Sequence, residues 1–270
     1  MKTITLFLIT GLIAGCSKTQ NTIGNDTDSI SFKLDFSEQK TIVYDYKQEM
    51  IQSGSVVESM EMNNVLMKAN SRVNWMIVDT SKATLKILNV KSTMLRRDAS
   101  NKVIDSMSSQ LGDLTISDIN YYGRVKDQSQ QTLISGFFVL PDNPIRMGES
   151  DTLEASIVSN TNGIGTNVPG ITIVKYIKNE KKSGRNCAVL SIESKMTMDQ
   201  VTNNTTFDMV SNGICYFDLE NKIIVSGTST ATMAQKMEVP SIVSGNSTSG
   251  FPEEVSLKVS TKITFELVED

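Results

Sequence analysis

Cys187-Ala-Val-Leu-Ser-Ile-Glu-Ser-Lys-Met-Thr-Met198 and, after a short polar break, Phe207-Asp-Met-Val-Ser-Asn-Gly-Ile-Cys-Tyr-Phe-Asp-Leu219 decide the fold of this 270-residue chain. In the first stretch Ala188, Leu190, Ile192, Met196 and Met198 share one parity, and in the second Met209, Cys215, Phe217 and Leu219 do. Strand side chains alternate between the two faces of a sheet, so each stretch reads as a strand with one apolar face. Asn203-Asn204 between them suits a two-residue turn, because Asn tolerates positive φ. Such a turn sets Leu190 opposite Phe217 and Ile192 opposite Cys215.

Working outward, the same alternation recurs at Phe32/Leu34/Phe36, Ile42/Tyr44/Tyr46, Leu85/Ile87, Leu153/Ala155/Ile157, Ile171/Ile173, Val255/Leu257/Val259 and Ile263/Phe265/Leu267. The expected fold is therefore all-β or mainly β, with antiparallel sheets forming a sandwich or a curved half-barrel and at most one or two short helices. One helix is expected over Val103 to Leu114, where Val103, Met107 and Leu111 recur at four-residue spacing behind a cap at Asn101. The Ser/Gly-rich stretch from Pro240 to Pro252 reads as a loop. Ala83-Thr-Leu85-Lys-Ile87 with Lys91-Ser-Thr93-Met94 echoes Ala188-Val-Leu190-Ser-Ile192 with Lys195-Met-Thr197-Met198. The echo is consistent either with two β-meander halves meeting near 140–150 or with chance similarity between strands built from common residues.

The N-terminus carries an address. Lys2 precedes an apolar run from Ile4 to Ile13, which is too short to span a bilayer and reads as an export signal. The run closes on Leu12-Ile13-Ala14-Gly15-Cys16, which resembles the lipobox of bacterial lipoproteins. The resemblance implies cleavage before Cys16, a diacylglycerol on its thiol, and membrane attachment through that lipid. Ser17 follows the cysteine, and by resemblance to Gram-negative lipoproteins this favours the outer membrane. Residues 1–15 then form the signal peptide, 16–29 the lipidated cysteine with a polar tether, and 30–270 a single large β-rich domain.

Composition narrows the chemistry. The chain has 26 basic and 30 acidic residues and no histidine, so the commonest general base and the commonest metal ligand are missing together. Serine hydrolysis through a histidine base is excluded, phosphate-cradling glycine loops are absent, and no dense Lys/Arg surface for nucleic acid exists. Lys178, Lys181, Lys182 and Arg185 form one small basic group beside Asn179, Ser183 and Gly184, as in a solvated turn. Ser37-Glu-Gln-Lys40 has Ser-x-x-Lys spacing but falls between two alternating strands, where it reads as a turn. Asn25-Asp-Thr-Asp28-Ser lacks the glycine and distal Glu of a calcium loop. No catalytic residue, cofactor or metal site is assigned, and the chain is read as a non-enzyme.

Two residue types remain. Cys187 and Cys215 are left over once Cys16 is acylated, and the expected register puts them on opposite faces and offset along the ladder, against a disulfide. Methionine is abundant, at fourteen, with Met60/Met62 and Met196/Met198 each pairing thioethers on one strand face. Such pairs suit either an adaptable apolar interior or, as a lesser alternative, Cu(I).

Leu140-Pro141-Asp-Asn-Pro144-Ile145-Arg-Met-Gly148-Glu149-Ser150, with Gly213-Ile-Cys-Tyr216-Phe217-Asp218-Leu219-Glu-Asn-Lys222 further on, resembles segments of uncharacterised bacterial envelope lipoproteins. Asp151 and Thr152 stand where those proteins carry an aromatic residue. The resemblance implies no catalytic residues. A lipobox followed by a curved antiparallel sheet is also remotely similar to the half-barrels that carry lipoproteins between membranes. The functional expectation is a binding module for a lipid or other apolar ligand, with Leu190, Met196, Met198 and Phe217 lining an apolar pocket. The alternative is a fully packed structural protein that binds an envelope partner.

Overall fold

The computed structural model describes residues 29–58, 64–110, 112–125, 139–161, 164–200, 205–238 and 254–269. They form eleven strands: β1 (Thr41–Ser53), β2 (Asn64–Ile77), β3 (Ala83–Arg97), β4 (Val103–Gln110), β5 (Leu114–Ile119), β6 (Ser150–Thr161), β7 (Ile164–Lys182), β8 (Arg185–Gln200), β9 (Thr205–Asp218), β10 (Ile223–Glu238) and β11 (Glu254–Leu267). One helical turn, α1 (Ser55–Glu58), follows β1. All strand pairings are antiparallel, in one open sheet of order β4-β3-β2-β1-β11-β10-β9-β8-β7-β6, with β5 beside β3 below β4. Of the two expected architectures the chain adopts the single sheet and not two stacked ones. The meander β1 to β5 and the meander β6 to β11 join where the first strand pairs with the last, Tyr44 opposite Leu267 through Ser53 opposite Lys258.

The alternation read from sequence is the alternation of burial: β1 buries Ile42, Tyr44, Tyr46, Gln48 and Met50 and leaves their neighbours exposed or, at Val43, half-buried. All these point to one face, here called inner. The end of the sheet carrying the turns at 183–184 and 219–222 is called lower.

The lower end is rolled. Leu34 donates its amide to the carbonyl of Tyr121, just past β5, at 2.8 Å, and Asp35 donates to Lys222 before β10 at 3.0 Å. Two residues earlier, Phe32 packs edge-on against Tyr176 of β7 and Phe217 of β9, each ring pair 5.4 Å apart. In a flat sheet at ~4.8 Å per strand, β3 and β7 would lie about 34 Å apart. Two residues of chain span about 7 Å, so only a curled sheet brings both within reach of this strap. Ile30 completes it by pairing with Ile145 ahead of β6.

Two expectations are corrected. Val103 to Leu114 is not a helix: residues 103–110 form edge strand β4, and Leu114 opens β5. Four-residue spacing places side chains together on a strand as well as on a helix, so the pattern did not discriminate. Val103, Ile104 and Met107 are 43%, 52% and 55% exposed there, as befits an edge. The β8–β9 register is also displaced by two residues, with Leu190 opposite Cys215, Ala188 opposite Phe217 and Ile192 opposite Gly213. Gln200 pairs with Thr205, so the connection spans four residues instead of two, and a shift of two preserves the faces. Residues 201–204 and the stretch 240–252 lie outside the described residues.

The echoed stretches fall on β3 and β8 at matching levels. Leu85 and Leu190 are fully buried in the lower core, Ile87 and Ile192 pack against it, and Met94 and Met198 pack against the upper one.

Candidate functional site: a two-level inner face

The inner face divides into two apolar clusters. The lower contains Trp75, Tyr44, Tyr46, Tyr176, Phe217 and Phe265 from the strands, together with Phe32, Leu34, Phe36, Val139, Leu140 and Ile145 from non-strand segments that cover them. The upper contains Met50, Met67, Met196, Met209 and Met233, with Phe207, Val65, Ala155, Ile157, Val168 and Val259. Met94, Met198, Ala231 and Leu257 pack against it. Every described member of the upper cluster sits on a strand.

Between the clusters several strands change character. On β1, Gln48 separates Tyr46 below from Met50 above; on β11, Thr261 separates Ile263 from Val259; on β9, Ser211 separates the Cys215 level from Met209. Ser194 on β8 and Thr172 on β7 do the same and bond each other at 2.8 Å. On β2, Ala69 and Ser71 lie between Val73 and Met67. The result is a transverse belt of small and polar side chains. Gln48 is 6% exposed; its Oε1 accepts from the Tyr46 hydroxyl at 3.2 Å, while its Nε2 is buried without a hydrogen-bond partner. Ser71 Oγ, opposite Tyr46 in register, is likewise buried and unpartnered. Burial pushes the Tyr46 phenol well above its ordinary range, which keeps it protonated and a donor.

The four residues expected to line one pocket are thus divided between levels. Leu190 and Phe217 are buried in the lower cluster, Phe217 against the strap, whereas Met196 and Met198 belong to the upper. A separate groove of about 300 Å³ lies mainly over the other face, where Ile51 and Val210 flank Ser260, Thr232 and Ala234.

Both sequence segments that carry the family resemblance serve the lower end. Asp151, 9% exposed, accepts from the amides of Asp142 and Asn143 at 2.8 and 3.0 Å, fixing the loop that delivers Leu140 and Ile145 to the core. Arg124 pairs with Asp142 and donates to the Leu140 carbonyl. Gly148 adopts φ 90° and donates to the Tyr176 carbonyl at 2.7 Å. Asp218, 1% exposed, organises the β9–β10 turn by accepting from Glu220 and Asn221 amides, Asn221 Nδ2 and Arg185. Burial alone would raise the Asp218 pKa, but these hydrogen bonds outweigh it and hold the carboxyl below its ordinary value.

Cys16, the lipobox residues Leu12 to Gly15, Met60 and Met62 lie outside the described residues, as does Asn25–Asp28. Ser37 sits in a turn, its amide donating to Asp35 at 2.9 Å, with Lys40 Nζ 3.7 Å from the same carboxylate. In the β7–β8 basic group, Lys178 pairs with Glu180 and Arg185 with Asp218 and Glu269. Cys187 and Cys215 are buried free thiols three ladder steps apart. No family model and no curated protein sequence matches the chain.

The strap and the belt went unrecognised in the sequence. The strap had a signal, since Phe32/Leu34/Phe36 alternate like a strand. The belt had one too: Gln48 and Thr261 interrupt otherwise apolar parities.

Proposed function

We propose that this protein is a non-catalytic envelope lipoprotein, anchored through Cys16, whose rolled sheet holds the acyl chain of a lipid or another apolar ligand at its upper level. The observation that carries this reading is the concentration of five buried methionines on one level of one face, backed by strands alone among the described residues. Unbranched thioether side chains re-pack at low cost, which suits a surface that must accept a flexible chain. The rigid aromatic level below then serves as its foundation.

Purifying the mature protein from the envelope without denaturation and extracting it for mass spectrometry tests the reading. Stoichiometric co-purifying lipid is the expected result. Lipid-free protein that also fails to take up an apolar fluorophore would overturn it and favour the alternative, a packed protein that binds an envelope partner. That alternative predicts a specific protein cross-linked in place of lipid.

A further inference from the structure

We infer that the belt is a polar-group subsite, and that the ligand is a long-chain lipid carrying an uncharged carbonyl, as in an acyl ester or amide, which accepts a hydrogen bond from Gln48 Nε2. The inference rests on the apolar-ligand reading above and adds the class of ligand to it. A buried amide donor left without a partner costs free energy, and native interiors leave few such groups. With Gln48 Oε1 accepting from the Tyr46 hydroxyl, the group left without a partner is the amide N–H. Directly above lies Met50 of the upper cluster, so a chain packed among the methionines brings its polar end to this level.

The surroundings define the charge of that end. Ser71, Thr261 and Ser211 offer hydroxyls, Ser194 is bonded to Thr172, and the belt has neither Lys nor Arg. A carboxylate placed here would be desolvated with no counter-charge, whereas a neutral carbonyl needs only the donor that Gln48 offers.

The test uses the mature protein and the Gln48→Met variant, with diphenylhexatriene as a purely apolar reporter displaced by 1-monopalmitoylglycerol or by palmitate at pH 8. The variant is expected to fold with little change in thermal stability, because removing an unsatisfied donor offsets the loss of the acceptor for the Tyr46 hydroxyl. It should bind the reporter as the parent does but lose about tenfold in monopalmitoylglycerol affinity, while the parent prefers monopalmitoylglycerol to palmitate by at least that factor. Equal displacement of the reporter from parent and variant would overturn the belt inference and leave the apolar-ligand reading standing. If the reporter does not bind the parent at all, both fall. A variant that loses stability without selective loss of monopalmitoylglycerol would assign Gln48 a purely structural role and overturn the inference.

Discussion

The lower and upper levels of the inner face share the same strands, the same alternation and the same depth of burial, yet they are filled with different materials. Below, Phe32, Tyr176 and Phe217 meet as edge-to-face rings, and Tyr44 donates to the Ile224 carbonyl at 2.9 Å while packing edge-on to Phe265. These contacts have defined directions, and rings have few rotamers to lose. Above, five methionines fill the same face with flexible chains that have no such geometry, around the ring of Phe207. The difference separates the part of the sheet that fixes its curvature from the part free to adjust its contents.

Removing an aromatic ring from the lower level should have the largest effect. Phe32→Ala is expected to destabilise the fold by about 3–5 kcal/mol, read as a fall in the urea midpoint, because the cavity would form beneath the strap where neighbours cannot collapse. A loss under about 1 kcal/mol would show that the strap does not hold the two sides of the sheet together. Next comes the turn that supports the same level. Asp218→Asn should cost about 1–3 kcal/mol at neutral pH. With its folded pKa held below the ordinary 3.8, Asp218 contributes stability above that value and loses it as pH falls through the folded value. The parent should therefore destabilise more steeply than Asp218→Asn in acid unfolding below about pH 4, and parallel curves would contradict the assignment.

The upper level should respond little to changes in shape. The double substitution Met196→Leu and Met209→Leu is expected to shift stability by less than about 1.5 kcal/mol per site, while altering reporter uptake more than the urea midpoint. A stability loss matching Phe32→Ala would erase the contrast between levels. The smallest expected effect is chemical. Burial pushes the Cys215 thiol up to about 12, with Cys187 nearby adding to it, and Cys187 is raised chiefly by its own burial. Iodoacetamide at pH 8 should leave both unlabelled in the folded protein and label both in urea. Labelling in the folded state would mean that this part of the lower level opens.

Much of the contrast was already legible in the sequence. Period-two alternation identified the inner face that both clusters share, including Leu190, Phe217, Met196 and Met198. It could not identify levels, because height along a strand depends on register, and register depends on connection lengths such as the four residues between Gln200 and Thr205. Nor could it separate Val103 and Met107 on a strand from the same residues on a helix, since both bring every fourth side chain to one side. The curl of the sheet was hidden for another reason. It is set by bonds from Leu34 and Asp35 to Tyr121 and Lys222, partners about 90 and 190 residues away in sequence, and no local pattern encodes them.

The seam between β1 and β11 lies in the middle of the sheet and joins the first described strand to the last. Each meander can pair its own hairpins early, through contacts between neighbours in sequence. The centre of the sheet can close only after residue 267 has left the ribosome and, for an exported chain, crossed the membrane. Long-range pairing of this kind is slow. Until it happens, β1 and β11 are exposed edges, each able to pair with the wrong strand. The order of synthesis thus runs opposite to the order of space: the earliest and latest of these eleven strands meet last, at the centre, and that closing step should set the folding time of the sheet.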